Sequence, residues 1–107
     1  MLKIQLTTKN IPMADDIKRI TTEKLKKLEK RLVKFPEDAV KAIVMLKRRQ
    51  HRSEDDIYVT TIALYVPSRI LHAHQDGYTL EESLNGAIED LEDQLERYKG
   101  KFEDRSG

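Results

Sequence analysis

His72 and His74 stand two residues apart and Asp76 two further on, a spacing that places all three on one face of a strand. Two imidazoles and a carboxylate are a partial ligand set for a divalent cation. The remaining histidine, His51, completes no recognisable ligand spacing and the chain has no cysteine, so the three read as polar residues on an open sheet face. No metal and no cofactor are expected. Covalent and acid–base catalysis lack their signatures too. There is no G-x-S-x-G elbow, no nucleophile beside a base, and the glycines stand singly at Gly77, Gly86, Gly100 and Gly107, so none builds a phosphate-cradling loop. The chain is not expected to be an enzyme or to take a small-molecule substrate. The remaining chemistry is electrostatic, the attraction of lysine and arginine for phosphate.

A formal net charge of +1 hides that chemistry. Residues 1–35 carry ten Lys/Arg against four Asp/Glu, a balance of +6, whereas residues 76–107 carry four against ten, a balance of −6. Lysines gathered on one helix face attract a polyanion whatever the net charge, provided the acidic part faces elsewhere. On a helical wheel Arg19, Lys26, Lys27, Lys30 and Lys34 form such a ridge, with Lys24 and Arg31 at the edge of the apolar stripe. The plainer alternative is a solvated surface helix. A second group, Lys47-Arg48-Arg49 with His51 and Arg52, ends a strand, where cations also deter edge pairing.

Hydrophobic periodicity says what holds these charges. Ile4 and Leu6 alternate with Lys3, Gln5 and Thr7, which predicts a short strand ending near Lys9-Asn10. Ile17, Thr21, Leu25, Leu28, Leu32 and Phe35 form one stripe of a long helix, opened by Asp15 and Asp16 and ended by Pro36. Val40, Ala42, Val44 and Leu46 predict a second strand running into a polar hairpin loop, Arg48 to Asp56. Tyr58 to Val66 predicts a third, and Pro67-Ser68 turns it into a fourth over Arg69 to Gln75. Thr79 and Glu82 make a capping box for a helix with core stripe Leu80, Leu84, Ala87, Ile88, Leu91, Leu95 and Tyr98, stopped by Gly100.

The predicted order is β-α-β-β-β-α, an α+β domain with a four-stranded sheet and both helices on one face. Lys41, Lys47, Thr61 and Tyr65 fall on the other, solvated face. One domain is expected over residues 1–102, with 103–107 a short flexible tail. At 107 residues the chain buries roughly 65% of its unfolded surface and needs no staple. No apolar run exceeds five residues, so neither a signal segment nor a membrane partner is expected, and the lack of cysteine suits a reducing cytoplasm.

The order of elements, with Ile4-Gln5-Leu6-Thr7 opening, Glu23-Lys24-Leu25-Lys26-Lys27-Leu28-Glu29 in the first helix, Leu71-His72-Ala73 in the last strand and Gln94-Leu95-Glu96-Arg97-Tyr98-Lys99 in the second helix, resembles a known family. It is that of the ribosome hibernation-promoting factors and ribosome-associated inhibitors, also called sigma-54 modulation proteins. The resemblance spans about residues 2–102 and suits a short form without the dimerisation domain of longer members. It implies a fold like a double-stranded-RNA-binding domain and a cytoplasmic factor that binds the small ribosomal subunit and its ribosomal RNA. Such a factor represses translation under stress or in stationary phase by blocking the messenger and transfer RNA sites. The family's basic first-helix positions correspond to Lys18, Lys24 and Lys27, and its basic helix end to Arg97, Lys99 and Lys101. Lys26, Lys30 and Arg31 join these as RNA contacts from the helical wheel.

One departure stands out. Family members typically carry basic residues on the second helix where this chain has Asp90, Asp93 and Glu96. Like charges there would weaken binding to RNA and flatten its salt dependence. Either the chain binds RNA mainly through its first helix and strand ends, or it is a protein-interaction module of the same fold. The retained basic positions of the first helix favour the former.

Overall fold

The computed structural model describes residues 2–50 and 56–106, with side chains described for 2–49 and 57–98. Strand β1 (Lys3–Lys9) leads to helix α1 (Asp15–Glu29) and a single 3₁₀ turn (Glu37–Ala39). Strands β2 (Lys41–Gln50), β3 (Asp56–Val66) and β4 (Arg69–Gly77) follow, then helix α2 (Leu80–Ser106). The sheet order is β1-β2-β3-β4. β1 pairs parallel to β2, and the rest is an antiparallel meander. This is the expected α+β order, and the parallel pair is the reason α1 lies between β1 and β2: strands running the same way need a crossover connection.

One face of the sheet makes the core. Ala42, Val44 and Leu46 of β2 and Ile62 and Leu64 of β3 are fully buried against Leu25 and Leu28 of α1 and Leu84, Leu91 and Leu95 of α2. Each of these valine, leucine and isoleucine side chains contributes about 1.5–3 kcal/mol relative to exposure, which explains why two amphipathic stripes and alternating strands suffice. Thr79 caps α2 as its sequence predicts, its Oγ1 accepting the Glu82 N–H at 3.0 Å. Two further bonds tie α2 to the sheet. The Gln94 Nε2 donates to the His72 carbonyl of the edge strand at 2.7 Å, and the Tyr98 hydroxyl donates to the Pro67 carbonyl in the β3–β4 turn.

Three boundaries differ from the sequence expectation. α1 stops at Glu29 instead of reaching Pro36. Beyond it the chain makes turns closed by i→i−3 bonds, from Arg31, Leu32 and Phe35 to the carbonyls of Leu28, Glu29 and Leu32. Such turns still point Leu32 and Phe35 at the core, so an apolar stripe does not distinguish them from a continued helix. β2 and β3 run past Arg48 into the expected loop, because Arg48↔Tyr58, Arg49↔Ile57 and Gln50↔Asp56 stay in register, with Arg49 on the open face, where polar side chains are tolerated, and Arg48 half-buried on the face that carries Leu46. Residues 51–55, with His51 and Arg52, lie outside the described residues. Finally α2 passes through Gly100 to Ser106 and takes in residues 103–106 of the expected tail. A lone helix-interior glycine costs only about 1 kcal/mol, and no proline follows to enforce a stop.

Candidate nucleic-acid interface

The first-helix ridge is built by period alone. Thr21, Leu25 and Leu28 face the core, which leaves Lys18, Lys26, Lys27 and Lys30 exposed and Lys24 half-buried at the edge of the stripe. Lys26 and Lys27 fall in the last turn, where a positive charge also favours the helix dipole. None of these five lysines forms an ion pair with a described residue. Arg19 differs. Its guanidinium lies 3.7 Å from Asp16 on its own helix, which lowers its charge toward an outside anion. Lys30, at the C-cap, and Lys34 lie beyond the end of α1.

Arg31 is placed in a way the helical wheel does not foresee. Its Nε donates to Glu92 at 3.1 Å and its Nη1 to Glu96 at 2.8 Å, across 61 and 65 residues of sequence. The bond to Glu96, with that to Glu92, raises the Arg31 guanidinium above its ordinary value. The tertiary structure therefore joins the chain just past α1 to the acidic flank of α2, and Glu96 already has a cation in contact. Of the other carboxylates in that row, Asp93 is exposed and Asp90 half-buried. Arg97 is exposed on α2, and no described contact joins it to the α1 ridge. The side chains of Lys99 and Lys101 lie outside those described.

The histidine pair sits where expected, on β4. The exposed His74 Nδ1 lies 3.0 Å from the Thr61 hydroxyl across the β3–β4 pair, and its Nε2 lies 3.9 Å from Asp76. Asp76 is engaged by Arg49 at 3.3 Å. Among the described residues no group of three or more His, Cys, Asp or Glu could hold a metal ion, and no helix is long and apolar enough to cross a membrane.

A basic feature absent from the sequence-derived contact set lies on the open face of the sheet. The parallel register sets Lys3 opposite Lys41 and Lys9 opposite Lys47. The signal was present in the identical spacing, six residues in each strand, but it acquires meaning only once the two strands are known to pair in that register.

No curated protein sequence matches the chain. Among solved structures, the N-terminal domain of Protein Y from Thermus thermophilus superposes with a TM-score of 0.71 at 20% identity, covering 92% of this chain and 99% of that one. A ribosomal subunit interface protein from Coxiella burnetii superposes with a TM-score of 0.66 at 16% identity, again over 92% and 99% of the two chains. At these identities the likeness is one of fold. Sequence membership is carried by residues 4–103, which match the pattern of the family described as sigma 54 modulation protein / S30EA ribosomal protein, and the chain belongs to that family.

Proposed function

We propose that this protein is a ribosome-associated translation inhibitor that binds small-subunit ribosomal RNA through the exposed lysines of α1 and blocks the messenger and transfer RNA sites. The observation that carries the proposal is the ridge itself. Lys18, Lys26 and Lys27 of α1 and Lys30 at its C-cap are exposed with no described carboxylate in contact, on the fold of a ribosome-associated family. Lysines so placed release condensed counterions on meeting phosphates, a driving force that needs no base recognition and no cofactor. Inhibition follows from occupancy, since a folded domain in the RNA channel excludes the substrates, and no reaction is required. Stress or stationary phase is the setting proposed for this action in the cytoplasm.

The acidic flank of α2 is compatible with this reading. Arg31 pairs with Glu92 and Glu96, so part of the negative charge is neutralised within the chain. The competing reading, a protein-interaction module, needs that flank free. Sucrose-gradient sedimentation of stationary-phase lysate tests the two. The wild-type chain should travel with small ribosomal subunits, and a Lys26→Glu, Lys27→Glu, Lys30→Glu variant should stay near the top of the gradient. Equal co-sedimentation of both proteins would remove α1 as the RNA-binding face, and a wild-type chain found only with other proteins would favour the interaction module.

A further inference from the structure

We propose that the open face of the sheet is a second phosphate-binding surface for the same RNA, formed by the cross-strand pairs Lys3–Lys41 and Lys9–Lys47. The inference rests on the reading above, and adds to it a face on the opposite side of the sheet from the helices. Like charges set directly opposite one another in neighbouring strands destabilise a sheet. Here the arrangement occurs twice in a single pair of strands. No described carboxylate offsets any of the four lysines; Asp76, the carboxylate on this face, is held by Arg49. A fold that keeps two repulsive pairs with no described carboxylate against them is suited to an external anion.

The geometry specifies what kind of anion. Six residues separate the two pairs, roughly 20 Å along the strands, while the lysines within a pair lie on strands about 4.8 Å apart. Between the pairs β1 presents exposed Gln5 and Thr7, both able to donate hydrogen bonds to phosphate oxygens. A single small anion cannot touch both ends of such a strip, whereas the backbone of an RNA strand can. Base stacking has little part in it. Tyr65, the aromatic residue beside the strip, has its ring covered by the Lys41 Nζ at 5.0 Å from the ring centre. The surface therefore reads charge and spacing instead of sequence. With α1 on the other side of the sheet, the chain would lie between two RNA segments and be held from both.

The test is the salt dependence of binding to isolated small subunits, compared for wild type, a sheet variant (Lys3→Gln, Lys9→Gln, Lys41→Gln, Lys47→Gln) and a helix variant (Lys26→Gln, Lys27→Gln, Lys30→Gln). Four lost phosphate contacts should reduce the slope of log affinity against log salt by roughly 3–4. The melting temperature of the sheet variant should change little, since the removal of two repulsive pairs offsets the loss of the Lys41–Tyr65 contact. Should it not fold, the two-residue variants Lys3→Gln, Lys41→Gln and Lys9→Gln, Lys47→Gln should each reduce the slope by roughly 1.5. A wild-type slope in the sheet variants overturns the proposal, and the reading under "Proposed function" survives if the helix variant alone is affected. Weaker binding with an unchanged slope also overturns it, because the face would then be touching protein. If wild type itself fails to bind small subunits, both readings fall together.

Discussion

Two buried hydroxyl groups link α2 to the sheet. Thr60 of β3 and Ser83 of α2 are fully buried with their oxygens 2.8 Å apart. Ser83 Oγ also lies 2.9 Å from the Leu80 carbonyl, which can only accept. The serine proton is therefore committed to Leu80, and the Thr60 hydroxyl must be the donor to Ser83. Replacing Ser83 by Ala orphans that donor in a dry site and should cost about 1–3 kcal/mol. Replacing Thr60 by Val removes the donor with little change of shape and leaves Ser83 bonded to Leu80, so its cost should be smaller, about 0.5–1.5 kcal/mol. In the double variant no buried group is left wanting. Its loss should therefore fall short of the sum of the two single losses by about 1 kcal/mol. Urea denaturation followed by circular dichroism measures all four corners of the cycle, and in a thermal scan each kcal/mol corresponds to roughly 4–8 °C. Additivity to within about 0.5 kcal/mol would refute the Thr60–Ser83 hydrogen bond, and a larger loss for Thr60→Val than for Ser83→Ala would refute the assignment of donor and acceptor.

Four further outcomes are expected. Thr21 is fully buried with a hydroxyl that has no described partner, so Thr21→Val should stabilise the fold by about 1 kcal/mol, read as a higher urea midpoint at unchanged m-value. A Cβ added at Gly77 would lie 2.7 Å from the Ser83 backbone nitrogen, and Gly77→Ala should lower stability by about 1–3 kcal/mol in the same assay. Zinc or nickel should give no saturable rise in melting temperature, since a real site at His72 and His74 would stabilise the fold by mass action; a rise abolished by His72→Ala would reverse this. Asp93→Lys with Glu96→Lys should tighten binding to small subunits and steepen its salt slope by roughly 1.5, with Arg31 released from one of its two carboxylates; unchanged affinity at low salt would instead make the acidic flank an interface of its own.

What the sequence determined by itself is local. The 3.6-residue stripes of α1 and α2, the strand alternation from Val40 to Leu46 and the Thr79 cap each arise from side chains near one another along the chain, and all are found in the structure. The lysines left outside the α1 stripe follow from the same period, which is why the ridge was legible from residue spacing. The end of α1 was not, because successive i→i−3 turns pack Leu32 and Phe35 against the core as a helix would. Nor was the passage of α2 through Gly100, where a modest local preference is outweighed by the continuing helix.

The tertiary structure decided which charges meet. Arg31 reads on a wheel as one more ridge cation, yet a partner more than sixty residues away takes up its charge. Lys3 and Lys41, and Lys9 and Lys47, become pairs only when β1 lies parallel to β2 in one particular register; a slip by one residue would turn β1's side chains to the other face. Electrostatic sites depend on distance through space, and that distance is fixed by the packing of elements whose own formation needs only their neighbours in sequence.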